Sequence, residues 1–391
     1  MAMPTGRRFD IVLFGATGFT GQLTAEYLAR HAPEGLRWAL AGRNPAKLAA
    51  VRDRLGVDVE TLTADVTDPA SIAAVAEATR VVITTVGPYL EYGDVLVGAC
   101  AEAGTDYVDL TGEPEFVDRT YLRYHSRAVE TGARLVHACG FDSIPYDLGV
   151  LYTVQQLPVG VPLTVDCYFA VSASFSGGTF QSTITAFSRL REMQKAAAER
   201  KKVEPRPQRR VRGRGRPGRV AEIGRWAVPL PTIDPQIVLR SARALDRYGP
   251  DFSYGHHLAV KRLPSALGFA GAGLGLMGLA QVPPVRRWLL DRKKSGDGPD
   301  AAQRARSWFK VTLIGTGGGE RVVTEIAGGD PGYDETSKML AESALCLAFD
   351  ELPAVAGQLT TAVAMGDKLI HRLVAAGIEF RVLSPVDGQT V

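Results

Sequence analysis

The stretch FDIVLFGATGFTG, residues 9–21, decides the fold of this chain. Its first six residues predict a buried strand, and three spaced glycines follow at once and open a helical pattern. In that context Gly15 allows a tight turn, Gly18 lets the backbone approach a pyrophosphate, and Gly21 permits close packing of helix on sheet. The alternative is a glycine-rich turn that binds nothing. We predict a dinucleotide-binding turn made by Gly15, Ala16, Thr17, Gly18, Phe19, Thr20 and Gly21.

The residues after the second strand indicate which dinucleotide is bound. An NAD enzyme carries Asp or Glu there, about 20 residues after the glycines, to bind the ribose hydroxyls. This chain has AGRN at 41–44, and Arg43 is suited to pair bidentately with a 2′-phosphate that a carboxylate would repel. We therefore predict NADP(H) as the cofactor. Further contacts are predicted at the ends of the second, third and fourth strands, from Asn44, Lys47, Asp65, Val86, Gly87, Pro88 and Tyr89.

The chain is long enough for two domains or more. Residues 1–150 alternate apolar runs with helical patterns, which predicts a Rossmann domain, a doubly wound parallel sheet of six strands. Beyond it, Leu163–Val171, Trp308–Ile314 and Arg321–Ile326 read as strands of a different, largely antiparallel sheet. We predict an α+β domain for substrate binding and dimerisation at 151–334, and closing C-terminal helices at 335–391.

Composition indicates a globular, intracellular protein. Hydrophobic residues make up 46% of the 391 residues and charged residues 22%, which is typical of a chain with a large buried core. The four cysteines are scattered without metal-ligand spacing, so we expect buried thiols and no metal site. No signal-peptide core follows the short basic N-terminus. These features favour a cytoplasmic location, and we expect no nucleic-acid partner.

Two segments fit neither domain. Between Arg189 and Arg219 there are thirteen Lys or Arg and three Glu, although the whole chain has a net charge of only +3. The Pro- and Gly-rich part of this segment, 201–219, is predicted to be a mobile loop. The other segment, 266–280, has fifteen uncharged residues between groups of Lys and Arg. A membrane span takes about 20 residues, so the alternatives are a buried helix at a dimer interface or a peripheral contact with a membrane.

Several motifs together carry a resemblance to a known family. The opening stretch is followed by LAGRN (40–44), TTVGPYLEYG (84–93), GTDYVDLTGE (104–113) and ACGFDSIPYDLG (138–149). SYGHH (253–257) and GQLTTAVAMGDKLIHRL (357–373) also have counterparts. In these motifs the chain resembles the saccharopine dehydrogenase-like oxidoreductases, and within them the trans-acting enoyl reductases known from mycobacteria. The likeness covers nearly the whole chain.

The resemblance implies a fold and a reaction. Family members join an N-terminal Rossmann domain to a C-terminal α+β domain that shapes the substrate cleft. The enoyl reductase branch reduces a carbon–carbon double bond in an acyl chain that a polyketide synthase carries, whereas the relatives named for saccharopine act on a carbon–nitrogen bond. This chain has GFDSIP at 140–145 instead of the Gly-x-Asp-Pro-Gly of true saccharopine reductases. That departure argues against an amino-acid substrate.

The candidate catalytic residues follow the fourth and sixth strands, because active sites of doubly wound folds lie beyond the carboxyl ends of the strands. No Tyr-x-x-x-Lys pair of the short-chain dehydrogenases occurs in the sequence, so the proton must come from another group. Tyr89 and Tyr146 are candidate donors, and Asp142 is a candidate to orient them. Tyr89 packing against the cofactor, Asp142 capping a helix, and water as the proton source are the alternatives.

Three functions compete at this point. The first is an NADPH-dependent reductase of a double bond in a polyketide- or lipid-derived acyl chain, held by a carrier protein or a lipid. The second is an imine or carbonyl reductase of a small polar substrate, and the third is a non-catalytic NADPH-binding protein associated with lipid. We expect a homodimer, with a possible peripheral membrane contact through 266–280. An apolar cleft favours the first function, cationic side chains in the cleft the second, and an occluded nicotinamide face the third.

Overall fold

A computed structural model describes residues 6–173, 184–292 and 299–386 of the chain. The first of its two sheets has seven parallel strands. These are β1 (Phe9–Phe14), β2 (Trp38–Gly42), β3 (Glu60–Thr63), β4 (Thr79–Thr84), β5 (Asp106–Asp109), β6 (Arg134–Val136) and β14 (Gly357–Leu359). Their order across the sheet is β14-β6-β5-β4-β1-β2-β3. The central strands β1 and β4 are buried almost throughout, which explains the apolar runs 11–14 and 81–83 within them.

Helices connect these strands as the sequence predicts. They are α1 (Phe19–His31), α2 (Pro45–Leu55), α3 (Pro69–Ala78), α4 (Tyr89–Ala103), α5 (Pro114–Thr131) and α6 (Ile144–Val154). Two of them begin at polar capping residues followed by proline. The Asn44 side chain accepts a hydrogen bond from the backbone N–H of Lys47, and Asp68 accepts one from that of Ala70.

The second sheet is mixed and mostly antiparallel. Its strands are β7 (Leu163–Ser172), β8 (Arg210–Arg214), β9 (Gly218–Val220), β10 (Arg225–Pro229), β11 (Asp251–Val260), β12 (Trp308–Gly317), β13 (Glu320–Gly328) and β15 (Glu379–Val386). They follow the order β15-β13-β12-β7-β11-β10-β9, and β8 pairs with the first half of β11. Among the described strands of this second sheet, only the pairs of β11 with β7 and with β8 are parallel. The predicted fold class is confirmed.

The remaining helices belong to the C-terminal part of the chain. They are α7 (184–188), α8 (Leu190–Val203), α9 (Asp234–Ala244), α10 (Leu263–Ala280), α11 (Pro283–Arg292), α12 (Ala301–Arg304), α13 (Asp334–Phe349), α14 (Thr361–Ala364) and α15 (Gly366–Ala375). Helix α6 lies against β12 and β13, and α9 lies against β11 and α6. These contacts bring α9 and β11 of the second sheet beside the end of β6.

The C-terminal segment differs from its prediction as closing helices. Helix α13 is almost entirely buried and packs against β1, β4, β5 and α1 of the first sheet. Strand β14 then extends that sheet beside β6, and β15 extends the second sheet. The predicted second helix is interrupted at Gly366, whose φ of 47° breaks the backbone between α14 and α15. The segment therefore contributes to both sheets.

The basic segment 201–219 is not the mobile loop that its composition predicts. Residues 201–203 finish α8, and β8 and β9 occupy 210–214 and 218–220. Residues 210–214 form β8 because their backbone pairs with that of β11. Two of the arginines in β8 also form ion pairs, Arg214 with Asp166 and Arg212 with Asp251 at 3.6 Å. The loop prediction was wrong because it was based on composition alone. Composition does not show that a neighbouring strand offers a free edge with which the segment can pair.

The apolar segment 266–280 forms most of helix α10, which begins at Leu263. Leu267 is 65% exposed and Phe269 is 53% exposed, so the helix is not buried within the described chain. By length and composition alone, α10 is the one helix in the described ranges that is long and apolar enough to cross a membrane. The structure leaves its outer face open to a second copy or to lipid.

Candidate functional site

The glycine turn has the close backbone approach that dinucleotide binding requires. Gly15 has a φ of 90°, and a Cβ on it would lie 2.7 Å from a methyl carbon of Val86. A Cβ on Gly21 would lie only 2.2 Å from the carbonyl oxygen of Gly15, so a side chain cannot be placed there. Gly18 precedes α1 without a side-chain cap, which leaves the first amides of the helix available to an anion. The residues present therefore fit a pyrophosphate.

The end of β2 places two cations where a 2′-phosphate is expected. Arg43 and Lys47 are both exposed at the carboxyl edge of the sheet. Asn44, also a predicted cofactor contact, has a structural role here. Its side-chain oxygen caps α2 by accepting a hydrogen bond from the amide of Lys47 at 3.0 Å. The Asp65 carboxylate accepts hydrogen bonds from the amide (2.9 Å) and hydroxyl (2.8 Å) of Thr67, which lower its pKa, as does the charge of Arg43. Arg43 and Asp65 thus border the same edge.

Tyr89 is buried, and its hydroxyl bonds to backbone groups of the first sheet. It is 6% exposed; its hydroxyl donates to the carbonyl of Thr84 (3.2 Å) and accepts from the amide of Leu110 (3.1 Å). This geometry uses the phenol to join the ends of β4 and β5. Glu113, which follows β5, has a carboxylate that accepts hydrogen bonds from the amides of Tyr89 and Leu90 at 3.0 and 2.8 Å. Glu113 therefore fixes the start of α4, and with it the loop Val86–Pro88.

Asp142 and Tyr146 lie at the end of β6, near the second sheet. Ser143, not Asp142, precedes α6, and it makes no side-chain cap. The Asp142 carboxylate points across the end of β5, with one oxygen 3.3 Å from the position of a Cβ on Gly112. It is open to solvent, yet protein surrounds it on most sides and this burial raises its pKa. Tyr146 is 2% exposed, and its pKa is raised by burial and then by nearby acids.

The second sheet adds an acid and an imidazole that the sequence did not identify as a pair. Asp234 begins α9 and His256 lies in β11; the Oδ2 atom of Asp234 is 3.5 Å from Nε2 of His256. The ring of Tyr146 meets that of His256 edge-on, with centroids 4.9 Å apart. Burial, and then the charge of Asp142, raises the pKa of Asp234 well above its usual value. Asp142, Tyr146, Asp234 and His256 are called the acid cluster below.

A separate buried network stabilises the loops beneath the cluster. The Asp109 carboxylate accepts hydrogen bonds from the hydroxyl of Tyr107 (3.0 Å) and the amide of Thr111 (3.0 Å). Its oxygens also contact Nδ1 of His137 at 2.7 Å and the amide of Ala138 at 2.8 Å. With every partner internal, Asp109 joins the ends of β5 and β6. Its arrangement shapes the site and leaves no oxygen directed at a substrate.

Cysteine and metal chemistry receive no support from the geometry. Cys100, Cys139, Cys167 and Cys346 are free and buried, and burial raises the pKa of each thiol. Within residues 6–173, 184–292 and 299–386, no three His, Cys, Asp or Glu side chains are grouped so that they could hold a metal ion. The candidate site therefore consists of the dinucleotide edge and the acid cluster.

Known proteins resemble the chain in sequence and in fold. Residues 11–136 match the family described as the saccharopine dehydrogenase NADP binding domain. A Mycobacterium tuberculosis protein, provisionally named a trans-acting enoyl reductase, is 41% identical over 96% of this chain and 98% of its own. The trans-acting enoyl reductase of Mycobacterium bovis BCG is 36% identical over the same shares. The family resemblance and NADP(H) as the cofactor are thereby confirmed.

A solved structure supports the architecture. The apo saccharopine dehydrogenase (L-Glu forming) of Saccharomyces cerevisiae superimposes with a TM-score of 0.56, over 96% of this chain and 100% of that one. The two sequences are 12% identical, so the comparison establishes the fold and nothing about the substrate.

Proposed function

The chain belongs to the family of trans-acting enoyl reductases, and on this premise we propose that it reduces a carbon–carbon double bond in an acyl chain with NADPH. It is an NADP-dependent oxidoreductase, and its relatives carry the name of that reaction. When bound, NADPH supplies the hydride. The substrate that we infer is a polyketide- or lipid-derived acyl group, held by a carrier protein or by the lipid itself.

The choice of an acyl substrate rests on the kinds of charged group that surround the acid cluster. Its four pKa values are perturbed by burial, by other acids, by Cys167 and by His257, and by no Lys or Arg in the described part of the chain. An amino-acid substrate would need a cation beside its carboxylate. The neighbouring rings are those of Phe141 and Phe169, both next to Tyr146. These surroundings fit an uncharged acyl thioester better than a small polar imine or ketone.

The test compares the three functions directly. Purified protein is mixed with NADPH and either a trans-2-enoyl thioester, a ketone, or an amine with a keto acid, and loss of the reduced nicotinamide absorbance is followed. We expect turnover with the enoyl thioester and a product reduced at the carbon–carbon bond. Faster turnover with the ketone or the imine mixture would favour the second function. Tight NADPH binding without oxidation by any substrate would favour the non-catalytic one.

The basic strand β8 and the residues around it support a carrier-protein partner. Arg210, Arg212, Arg214 and Arg216 are exposed and lie within seven residues, and Lys201 and Lys202 are exposed at the end of α8. Because the strand is ordered by pairing with β11, it presents these charges on a fixed surface that an acidic carrier can match. We expect carrier binding to weaken as salt rises, since exposed charges are screened. Binding that salt leaves unchanged would contradict this assignment.

Helix α10 supports a peripheral site on the inner face of the membrane in a cytoplasmic protein. Its exposed Leu267, Phe269 and Leu279 lie between two cationic pairs. Lys261–Arg262 are both exposed, whereas in Arg286–Arg287 the first is half-buried and the second exposed. An apolar helix of this kind can insert its side chains among lipids while the cations that flank it bind anionic headgroups. A homodimer that buries α10 is the competing arrangement, and both remain proposals.

Sedimentation with vesicles distinguishes the two arrangements. We expect wild-type protein to co-sediment with vesicles containing anionic lipid, and the double variant L267D/F269D to remain in the supernatant with unchanged NADPH affinity. V159D is the matched control, since Val159 is 75% exposed on another part of the surface. If the double variant instead changes the oligomeric state, and neither protein binds vesicles, α10 is a dimer interface.

A further inference from the structure

Two buried polar atoms in the acid cluster have no hydrogen-bond partner. They are Oδ1 of Asp234 and Nε2 of His256, on side chains that are only 5% and 2% exposed. Leaving such a group unpaired costs about 1–3 kcal/mol, so native structures rarely do so without a functional reason. The other imidazole nitrogen, Nδ1, lies 3.0 Å from the hydroxyl of Tyr254. Because Nε2 of His256 lies 3.5 Å from Oδ2 of Asp234, the atom of the pair that faces no protein partner is Oδ1 of Asp234.

The surroundings of the pair favour the neutral form of each member. Burial, followed by the charge of His257, lowers the pKa of His256 to about 3. The Asp234 carboxyl has its pKa raised by burial and by Asp142, against hydrogen bonds from Thr232 and its own backbone amide. Asp234 in turn raises the pKa values of three neighbours on α6, β7 and β11, which are Tyr146, Cys167 and Tyr254. No Lys or Arg in the described ranges is among the groups that perturb Asp234.

We propose that the Asp234 carboxyl, oriented by His256, donates the proton that completes reduction of the double bond. The inference rests on the proposed function. Hydride from NADPH forms the new bond at the β-carbon, and the π electrons move toward the thioester carbonyl to give an enolate. The O–H bond of Asp234 then breaks as the α-carbon–hydrogen bond forms, which leaves an Asp234 carboxylate. A solvent proton restores the acid, and the solvent-open Asp142 is placed to pass it inward.

The donor assignment explains why the acid is buried. A proton donor must hold its proton at the working pH and release it within the reaction, which favours a carboxyl whose pKa lies above its usual value. Tyr89, one of the two sequence-based candidates, donates its hydroxyl proton to the carbonyl of Thr84. Asp234 combines a free oxygen, a buried position that raises its pKa, and the proximity of Tyr146 and Asp142. In this arrangement His256 is a positioning residue.

The experiment uses D234N in the full chain, because Asn preserves the volume and suits the start of a helix. We expect kcat with the enoyl thioester to fall about 100-fold or more, within the range of general acid catalysis, while KM and NADPH affinity change less than threefold. Wild-type kcat should fall as pH rises and Asp234 loses its proton, and D234N should lack this decline. D58N is the matched control, since Asp58 is exposed on the first domain.

Infrared spectroscopy supplies a readout that needs no turnover. The wild type and D58N should show the band of a protonated carboxylic acid near neutral pH without substrate, and D234N should have lost it. H256Q should keep the band and lose activity by a smaller factor than D234N.

Each outcome separates this inference from the proposed function. If the wild type reduces the enoyl thioester and D234N matches its kcat and pH profile, Asp234 is not the donor and the function stands. A wild type without the D234N-sensitive band also overturns the donor assignment, whatever the substrate. If the wild type binds NADPH and reduces no enoyl thioester, the proposed function fails, and the donor assignment fails with it for want of that reaction.

Discussion

The preference for NADPH over NADH should depend on Arg43. The side chain is exposed directly after β2, at the carboxyl edge of the first sheet, where β2 runs parallel to β1. Its neighbour Asn44 is occupied in capping α2, so Arg43 and Lys47 are the predicted contacts there that carry positive charge. The charge of Arg43 lowers the pKa of the Asp65 carboxyl, so the two side chains interact. We expect R43A to remove the contact with the 2′-phosphate and nothing else.

The size of the effect follows from the type of contact. A hydrogen-bonded pair of charged groups contributes about 1.5–3 kcal/mol, and 1.4 kcal/mol corresponds to a tenfold change in Kd. Full contact would therefore favour NADPH by about 10- to 150-fold. Solvent exposure and the competing charge of Asp65 place the expectation at about 10- to 30-fold. Lys47, one turn further along α2, should add about threefold or less.

Titration of the two cofactors measures this directly. We expect R43A to weaken NADPH binding about 10- to 30-fold and to leave the Kd of NADH within a factor of two. R52A is the matched control, because Arg52 is an exposed arginine of α2 that pairs with Asp53 at 2.9 Å. Equal affinity of the wild type for both cofactors would refute the reasoning, and so would an R43A variant that loses NADPH and NADH equally.

Three further predictions concern the two domains. G21A should abolish NADPH binding and lower the Tm, as calorimetry can measure, because its Cβ would lie 2.2 Å from the carbonyl oxygen of Gly15. Deletion of residues 206–219 should lower the Tm by about 5 °C or more, because it removes β8 from beside β11; deletion of a mobile loop would leave the Tm nearly unchanged. The raised pKa of Asp234 means that the folded state holds a proton that the unfolded state has released. The free energy of unfolding should therefore fall as pH rises above about 4 towards that pKa, and urea titrations of D234N should lack this contribution.

The first sheet was predictable because its strands and turns are encoded locally. Strands buried on both faces require continuous apolar runs, and β1 coincides with the run Phe9–Phe14. Helix α2 begins at the proline that follows its capping residue Asn44, as the sequence indicates. The cofactor edge benefits from the same locality, since its residues follow strands at fixed offsets.

The second sheet was only partly predictable because pairing partners decide its irregular strands. Residues 210–214 read RVRGR, with no apolar alternation, and they form β8 through backbone bonds to β11 and ion pairs at their arginines. Strand β14 has three residues, too few for any periodicity, and it forms where the chain passes the open edge of β6. Local patterns carry no information about such free edges.

The two sides of the proposed reaction are therefore encoded in different ways. Residues that bind the hydride donor lie in one stretch of the chain, between Gly15 and Tyr89, and a motif reveals them. The proton side combines Asp142 with Asp234 and His256, about 90 to 115 residues later, and only the packing of α9 and β11 against α6 unites them. A buried acid also derives its pKa from that packing, which no local pattern records. Relatives can thus keep one cofactor edge and change the proton side by substitutions in the second sheet.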